Sequence, residues 1–264
     1  MEAVLLAVDV GNTHTVLGVF AGPRLVCHWR LKTNRQRTAD EYAFFLHDLF
    51  ARAGLAKADS VAISSVVPPV TETLRSLSTG TLGTPVHVIS ADDLTDLPIL
   101  YDDPRQLGTD RLANAVAAYA RTGTATVVVD CGTATKFEFV AADGAYWGGA
   151  IAPGVGIASD ALFSRTARLY RVPFTAPHAV VGRNTVHALQ SGLLHGHAAL
   201  IDGMVARIQH EAGIRARVIA TGGYARLLAP YCRSIDEVAD FLTLEGIRLI
   251  HEKRQARTTD STHL

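Results

Sequence analysis

One short sequence pattern occurs twice in this chain. An apolar run ends in Asp-x-Gly, residues with hydroxyl side chains follow, and a second apolar run begins. The first copy reads LLAVDVGNTHTVLGVF and contains Asp9 and Thr13, and the second reads TVVVDCGTATKFEFV and contains Asp130 and Thr133. Each copy predicts a strand, a tight glycine turn and a second strand. Because a repeat at matching positions indicates a duplicated structural unit, the chain is predicted to fold as two halves with one plan.

These turns have the chemistry of a phosphate site. Exposed backbone amides and hydroxyls bind phosphate oxygens, and a neighbouring carboxylate suits the accompanying cation. A third turn, ATGGY at 220–224, follows an apolar run and precedes a helix, as nucleotide-binding loops do. We therefore expect two phosphate turns and an adenosine contact. The alternative is a purely architectural repeat, because Asp and Gly are common in any hairpin turn and a fold does not determine a function.

Strands and helices alternate in both halves, which indicates an α/β fold with helices on the faces of the sheets. In the first half, three apolar runs precede an amphipathic segment that opens with the capping-box pattern of Thr38 and Glu41. In the second half, three apolar runs precede a long helical segment at about 184–211. We place the domains at 1–120 and 121–254, and we expect 255–264 to be a frayed tail.

The composition argues against several classes of protein. Of 264 residues, 25 are Lys or Arg and 25 are Asp or Glu, so no basic domain points to a nucleic-acid partner. The opening apolar run is too short for a signal peptide or a membrane span, which predicts no membrane partner. Three cysteines without a Cys-x-x-Cys unit indicate a reducing cytoplasm. We interpret Cys131, inside the second turn, as a small packing residue.

The carboxylate most suited to catalysis lies between the two copies, in Gly108-Thr109-Asp110-Arg111. Asp110 falls in the first turn of a predicted helix, where the helix dipole favours its ionised form. An ionised carboxylate can accept a proton from a substrate hydroxyl during phosphoryl transfer, and Arg111 can bind a carboxylate or phosphate bidentately. A second interpretation is equally open: Asp110 only caps the helix, and Arg111 forms an ion pair on its surface.

Seven segments in order resemble the type III pantothenate kinases, which catalyse the first step of coenzyme A biosynthesis. They read DVGNTHTVLG, YDDPRQLGTDRLANAVAA, VVVDCGTATKF, GGAIAPGV, VGRNTVHALQSGLLHG, ATGGYA and LTLEGIRLI. The resemblance implies the actin/hexokinase-like (ASKHA) fold, with two ribonuclease-H-like domains in tandem. It also implies ATP-dependent phosphorylation of pantothenate, with Mg²⁺ and a monovalent cation (K⁺ or NH4⁺). Finally, it implies a homodimer whose substrate pocket lies at the subunit interface.

The same resemblance implies roles for individual residues. It assigns ATP binding to Thr133 and to the first turn, whose residues are Asp9, Val10, Gly11, Asn12, Thr13, His14, Thr15 and Val16. Asp9 would lie close to the metal, and Asp130 would hold the monovalent cation. Asp110 becomes the catalytic base. The residues implied for pantothenate are Tyr101, Gly108, Thr109, Asp110, Arg111 and Thr185.

The chain departs from the family pattern in the second turn. The family commonly reads Gly-Thr-Ala-Thr-Thr-Phe-Asp there, whereas this chain has Lys136 for the second Thr and Glu138 for the Asp. Because lysines are mostly exposed, the favoured interpretation is that Lys136 points into solvent. The alternative is that its ammonium reaches the cation or phosphate site and takes the place of the monovalent cation.

Two other functions remain open at this point. One keeps the fold and the phosphoryl transfer but changes the acceptor to a sugar or another small hydroxy acid. The other is a catalytically weak homologue that acts as a regulatory binding protein. The presence of Asp9, Asp110, Arg111 and Asp130 argues for a kinase.

Overall fold

The structure is a computed structural model, and it describes residues 2–55, 57–90, 93, 97–165 and 171–261. The chain divides into two compact units. Unit 1 contains the chain up to Pro98, Asp102–Ala117 and the segment from Leu242 onward, and unit 2 contains Ile99–Tyr101 and Ala118–Phe241. Within the described residues, no helix combines the length and the apolar character that crossing a membrane requires.

Unit 1 is built on a five-stranded sheet of order β3-β2-β1-β4-β5. The first three strands pair antiparallel, and β4 and β5 add parallel to β1. The strands are β1 (Val4–Val10), β2 (His14–Ala21), β3 (Arg24–Lys32), β4 (Ser60–Ser65) and β5 (Val86–Val88). The helices between them are α1 (Ala39–Arg52) and α2 (Pro68–Thr79), and α3 (Thr109–Thr122) follows β5.

Unit 2 repeats this plan, with a five-stranded sheet of order β10-β9-β6-β7-β8. Its first three strands again pair antiparallel, and β9 and β10 add parallel to β6. The strands are β6 (Thr126–Cys131), β7 (Ala134–Val140), β8 (Tyr146–Pro153), β9 (Arg217–Thr221) and β10 (Glu237–Val238). The helices of unit 2 are α4 (Val155–Arg165), α5 (Thr185–Ala212) and α6 (Ala225–Leu228), and the chain then continues into α7 (Leu242–Ser261). The predicted duplication and α/β class are therefore confirmed.

Alternation along β1 places Asp9 on the face of the sheet opposite the core under α1 and α2. Leu6, Val8 and Val10 are buried against the apolar stripes of α1 and α2. Since neighbouring strand residues point to opposite faces, Asp9 points away from this core. The capping box predicted at the start of α1 is present in both of its hydrogen bonds, which confirms that boundary.

The last helix, α7, belongs to unit 1 although it is last in the chain. It packs on β1, β4 and β2, and a side chain at Gly18 would approach Leu244 Cδ1 to 2.7 Å. Leu244, Ile247 and Ile250 are buried. The helix also continues through Ser261, into the segment where we expected a frayed tail. A division of the sequence into two consecutive domains does not anticipate this return to unit 1.

In unit 2, the apolar face of the sheet is covered by the long helix α5. Val127 and Val129 of β6 join Phe137 and Phe139 of β7 in one buried cluster with residues of α5. The alternate residues of these strands, among them Asp130, point to the opposite face. The helix begins after Asn184, whose side chain accepts a hydrogen bond from the His187 amide, close to the predicted start.

Candidate functional site

The first Asp-x-Gly turn, in unit 1, is short and held by hydrogen bonds. The Gly11 amide donates to the His14 carbonyl at 3.0 Å, and the Thr33 hydroxyl donates to the Gly11 carbonyl at 2.7 Å. The Thr33 amide also donates to the Thr13 carbonyl at 3.0 Å. Asn12 and Thr13 are exposed at the tip. The turn therefore presents a rigid polar tip of the kind that contacts phosphate oxygens without reorganising.

Not every residue predicted for ATP can use its side chain. The side chains of Val10 and Thr15 are buried, and the Thr15 hydroxyl lies 3.0 Å from the Thr33 hydroxyl. These two residues therefore support the turn, and contacts with phosphate oxygens are left to the exposed residues at its tip. Thr33 itself was missed by sequence reasoning, because its role depends on β3 pairing with β2 and no motif marks it.

His14 lies at the start of β2, and the strand register places it opposite Lys32. Burial, followed by the nearby positive charge of Arg30, lowers the pKa of His14. The imidazole is therefore neutral at pH 7. Arg30 and Lys32 lie on an exposed strand beside this turn, so they add positive potential where a polyphosphate would approach.

Two hydrogen bonds fasten the Gly108–Arg111 segment to this same edge of the sheet. Asp9 of β1 is in register with Ser64 of β4. The Ser64 hydroxyl lies 2.9 Å from the Thr109 hydroxyl, and the Ser65 amide donates to the Thr109 hydroxyl at 3.1 Å. The structure thus brings the predicted base and the predicted ATP turn to neighbouring strand ends. Ser64 and Ser65 were also missed, since SVAISSVV carries no motif beyond its strand pattern.

Asp110 occupies the first turn of α3, as predicted. Its carboxylate bends back over Gly108, because a Cβ at position 108 would lie 2.5 Å from Asp110 Oδ1. Any larger residue at 108 would displace the carboxylate. Arg111 is buried, with 5% of its surface exposed. The interpretation of Arg111 as a surface ion-pair residue is therefore wrong, and a buried guanidinium is suited to bind a carboxylate within the fold.

Three glycine turns of unit 2 converge on Asp130, which lies near the end of β6. The Gly154 amide donates to the Thr133 carbonyl at 3.2 Å, and the Tyr224 amide donates to the Cys131 carbonyl at 2.9 Å. Gly222 has φ 89°, and a Cβ there would collide with Asp130 Oδ1 and the Cys131 backbone. The turn at 220–224 therefore lies directly against the second Asp-x-Gly turn, and only glycine fits at its centre.

Cys131 sits in this second turn and has 1% of its surface exposed. Burial, followed by the negative charge of Asp130, raises the pKa of the Cys131 thiol to about 12. The thiol is therefore protonated at neutral pH, and its interpretation as a packing residue is confirmed.

Lys136 does not point into solvent, so the favoured interpretation of this residue is wrong. Its Nζ lies 2.7 Å from Asp130 Oδ2, and the two side chains are 16% and 14% exposed. The pair forms because Lys136 and Asp130 lie directly opposite each other in the antiparallel register of β6 and β7. Exposure statistics could not reveal this, since they ignore the carboxylate across the strand.

The monovalent cation implied by the resemblance does not fit these residues. The Asp130 carboxylate already carries the Lys136 ammonium at ion-pair distance. Two unit positive charges about 4 Å apart repel each other by about 4 kcal/mol at an effective dielectric constant of about 20. A cation bound to Asp130 would have to displace the ammonium or tolerate that repulsion.

The remaining predicted residues lie at other positions of unit 2. The ring of Tyr101 is tilted against the ring of Tyr146 of β8, with centroids 6.3 Å apart. The Tyr101 ring also limits the space above Gly148. Thr185 is the exposed first residue of α5. Thr133 is exposed at the tip of the second turn. Within unit 2, Thr133 and Asp130 share one turn, whereas Tyr101 and Thr185 are held by separate elements.

Two sheets of the same strand order, each with an Asp-x-Gly turn after its central strand, define an actin/hexokinase-like protein with two ribonuclease-H-like units in tandem. An inorganic polyphosphate/ATP-glucomannokinase from Arthrobacter sp. strain KM has this fold, with a TM-score of 0.52 and 17% identity over 97% of this chain and 100% of that chain. The chain belongs to the type III pantothenate kinase family, whose family model matches residues 5–207.

A full-length relative supports this membership. The type III pantothenate kinase of Myxococcus xanthus (strain DK1622) is 47% identical over 255 residues, which cover 96% of this chain and 100% of the relative. A solved structure from Campylobacter jejuni, described as a Baf family transcriptional activator, has a TM-score of 0.62 at 20% identity, covering 95% of this chain and 99% of that one. At 20% identity, the likeness to the Campylobacter jejuni structure shows the fold alone.

Proposed function

We propose that this protein transfers the γ-phosphoryl group of ATP to the hydroxyl of pantothenate, giving 4'-phosphopantothenate and ADP in the cytoplasm. Family membership supports this reaction. The observation that carries it in the structure is the seating of Thr109 on Ser64 and Ser65. That contact holds Asp110 beside the strand end from which Asp9 projects.

Asp110 is the general base of the proposed reaction. Its carboxylate accepts the proton of the hydroxyl while the hydroxyl oxygen bonds to the γ-phosphorus and the bond to the β-phosphate oxygen breaks. The carboxylate lies in the first turn of α3, next to Thr109, which is hydrogen-bonded to β4. A general base contributes roughly 10²–10⁴ in rate, and positioning and charge neutralisation supply most of the rest.

Asp9 is the residue that would hold the magnesium ion. Magnesium usually keeps several waters and binds through one or two carboxylates together with substrate phosphates. A half-buried carboxylate beside a rigid polar turn fits that mode of binding. When bound, the ion neutralises charge on the triphosphate. Within the turn of residues 9–16, the exposed Asn12 and Thr13 at the tip would contact the phosphates. Thr133 would also contact ATP.

The pantothenate carboxylate would be bound by Arg111, because a guanidinium offers two parallel N–H donors to a carboxylate. Gly108 and Thr109 lie beside Arg111 and would bind pantothenate with it. Tyr101 and Thr185 are the other residues proposed to bind pantothenate. Each of these roles rests on family membership and on the positions described above.

We also propose that the protein is a homodimer. Unit 2 exposes large apolar side chains on β8 and α4: Trp147, Ile151, Ile157 and Leu162. Large apolar side chains this exposed are typical of protein interfaces. We therefore assign β8 and α4 to the contact with a second copy.

The experiment that tests the function follows ADP release from ATP with pantothenate and with a panel of sugars and small hydroxy acids. Pantothenate-dependent ADP release, with a product that is one phosphate heavier by mass, is expected. Turnover of another acceptor alone would assign the fold a different substrate. ATP binding without turnover of any acceptor would favour a regulatory protein.

A further inference from the structure

The ion pair between Asp130 and Lys136 lies on the face of the unit 2 sheet opposite α5. It is set by the pairing of β6 with β7. Its two residues are paired directly across β6 and β7, and its Nζ to Oδ2 distance is 2.7 Å. Both side chains are more than four-fifths buried. The pair is therefore held by backbone register and does not depend on two flexible surface side chains meeting by chance.

Backbone and the Lys136 ammonium together surround the Asp130 carboxylate. Gly222 lies against Asp130 Oδ1, and a Cβ at Gly132 would lie 3.3 Å from the same oxygen. The backbone of two glycine turns thus encloses one side of the carboxylate, and Lys136 covers the other. A buried carboxylate requires a positive partner, and here the chain supplies that partner itself.

We propose that the Lys136 ammonium is a tethered replacement for the monovalent cation, so that this protein works without K⁺ or NH4⁺. This inference rests on the proposed kinase function and on the poor fit of a free cation at Asp130. A lysine ammonium and an ammonium ion carry the same charge and offer N–H donors to the same carboxylate.

Covalent tethering changes how the site responds to its surroundings. A free cation leaves the site when its concentration falls, whereas an ammonium on β7 keeps the same local concentration in every buffer. The positive charge beside the second turn is therefore constant.

The nearby buried Glu138 lies two residues along the same strand, on the same face as Lys136. Lys136 and Glu138, the two departures from the family pattern, therefore lie on one face of the sheet.

The first test measures the rate of ADP release with pantothenate in KCl, NH4Cl and choline chloride at equal ionic strength. We expect the wild-type rates to agree within about twofold. Lys136→Thr, which restores the family residue, is expected to lose at least about tenfold in choline and to recover in K⁺. Lys57→Thr, on an exposed loop of unit 1, is the matched control and should behave as the wild type.

The second test needs no turnover and uses thallium(I) as the probe. Thallium NMR and anomalous diffraction, each with and without a non-hydrolysable ATP analogue, report whether a monovalent cation binds at Asp130. We expect no thallium there in the wild type and a bound ion in Lys136→Thr. Thallium at Asp130 in the wild type, or a strict potassium requirement, would overturn the proposal.

The two tests separate this inference from the proposed function. If no salt supports phosphorylation of pantothenate, the function is wrong, and the thallium result on the wild type still decides the role of Lys136. If Lys136→Thr does not fold, Lys136→Met is used to remove the charge at similar volume, and the wild-type measurements stand without either variant.

Discussion

The hydroxyls of Ser64 and Thr109 lie 2.9 Å apart although the two residues are 45 positions apart in the chain. This contact joins the end of β4 to the first residue of α3. Because β4 pairs in parallel with β1, the same contact brings the Asp110 segment to the strand end that carries Asp9. The site in unit 1 therefore depends on a hydrogen bond between hydroxyls of two residues that are distant in the chain.

Replacing Thr109 tests this arrangement. Thr109→Val removes the hydroxyl and leaves the fully buried Ser64 hydroxyl without that partner. We expect a loss of about 1–3 kcal/mol in the free energy of unfolding, the usual cost of stranding a buried polar group. Urea denaturation measures this loss, and kcat should fall as well. Thr109→Ser keeps the hydroxyl and should stay close to wild type; equal damage by both variants would contradict the argument.

Asp110→Asn tests the general base. The amide has the shape of the carboxylate but accepts no proton, so kcat should fall by roughly 10²–10⁴. ATP and pantothenate should still bind, as measured by calorimetry. Asp40→Asn is the matched control, since Asp40 is an exposed carboxylate in the first turn of α1. Turnover of Asp110→Asn near the wild-type rate would remove Asp110 from the mechanism.

Asp130→Asn should destabilise the protein. The substitution removes the charge with which Lys136 forms its buried ion pair. Breaking one side of a fully buried pair typically costs about 3–5 kcal/mol, because the other charge remains desolvated. This pair is about one-seventh exposed, so we expect a loss at or below the lower end of that range. The double variant Asp130→Asn, Lys136→Met should recover part of this loss in a urea double-mutant cycle. Additive losses would show that the two side chains do not interact energetically.

The pH dependence of stability should reflect a buried histidine pair in unit 1. His87 Nδ1 lies 3.3 Å from His251 Nδ1; His251 also contacts Ser60, and His87 Nε2 lies 3.0 Å from Asp93. Burial, followed by the charges of His87 and Arg254, lowers the pKa of His251 to about 4. Burial is also the largest cause that lowers the pKa of His87, with Arg254 acting in the same direction and Asp93 opposing it.

These shifts set the sign of the effect. Between pH 6.5 and about 4 the unfolded chain binds more protons than the folded protein, so stability is full above pH 6.5 and falls as the pH is lowered. His251 alone accounts for about 3 kcal/mol at the acid end, at 1.36 kcal/mol per unit of pKa. Thermal melting from pH 7.5 to 4 measures this, and His251→Phe should flatten the curve. An unchanged slope in that variant would contradict the assignment.

The proposed dimer surface can be tested by charge insertion. Ile151 is 64% exposed on β8, and Ile151→Glu would place a carboxylate in an apolar interface. Light scattering should show a dimer for the wild type and a monomer for this variant. Phe44→Glu, at a 73% exposed position on α1 of unit 1, is the control and should stay dimeric. A monomeric wild type would end the proposal.

Local sequence patterns predicted helices and strands well where one short segment contains all the residues that determine the element. The capping box at Thr38 and Glu41 is satisfied entirely within one helical turn, and it was confirmed. The start of α3 near Thr109 and the long helix α5 were also close to their predicted positions. Pro68 and Pro69 form the first turn of α2, because proline fits the N-terminus of a helix.

Residues whose roles arise from contacts between different strands or helices were not predictable in this way. Lys136 looks like a solvent-exposed lysine until the β6–β7 register places Asp130 opposite it. Ser64 looks like an ordinary strand residue until α3 docks on β4. Arg111 was interpreted as a possible surface residue and is buried. Each depends on which strand or helix lies beside it, and periodicity within one segment does not specify that neighbour.

The amino-acid sequence by itself determined the duplicated plan, because each copy carries its strand, carboxylate, glycine and hydroxyl within a few consecutive residues. It also determined the family, through motifs that run along most of the chain. Only the tertiary structure decided that α7 returns to unit 1 and that the Lys136 ammonium lies on Asp130. The physical reason is that both contacts bury apolar surface or charge between different elements, and periodicity within one element does not specify which side chains face it across the fold.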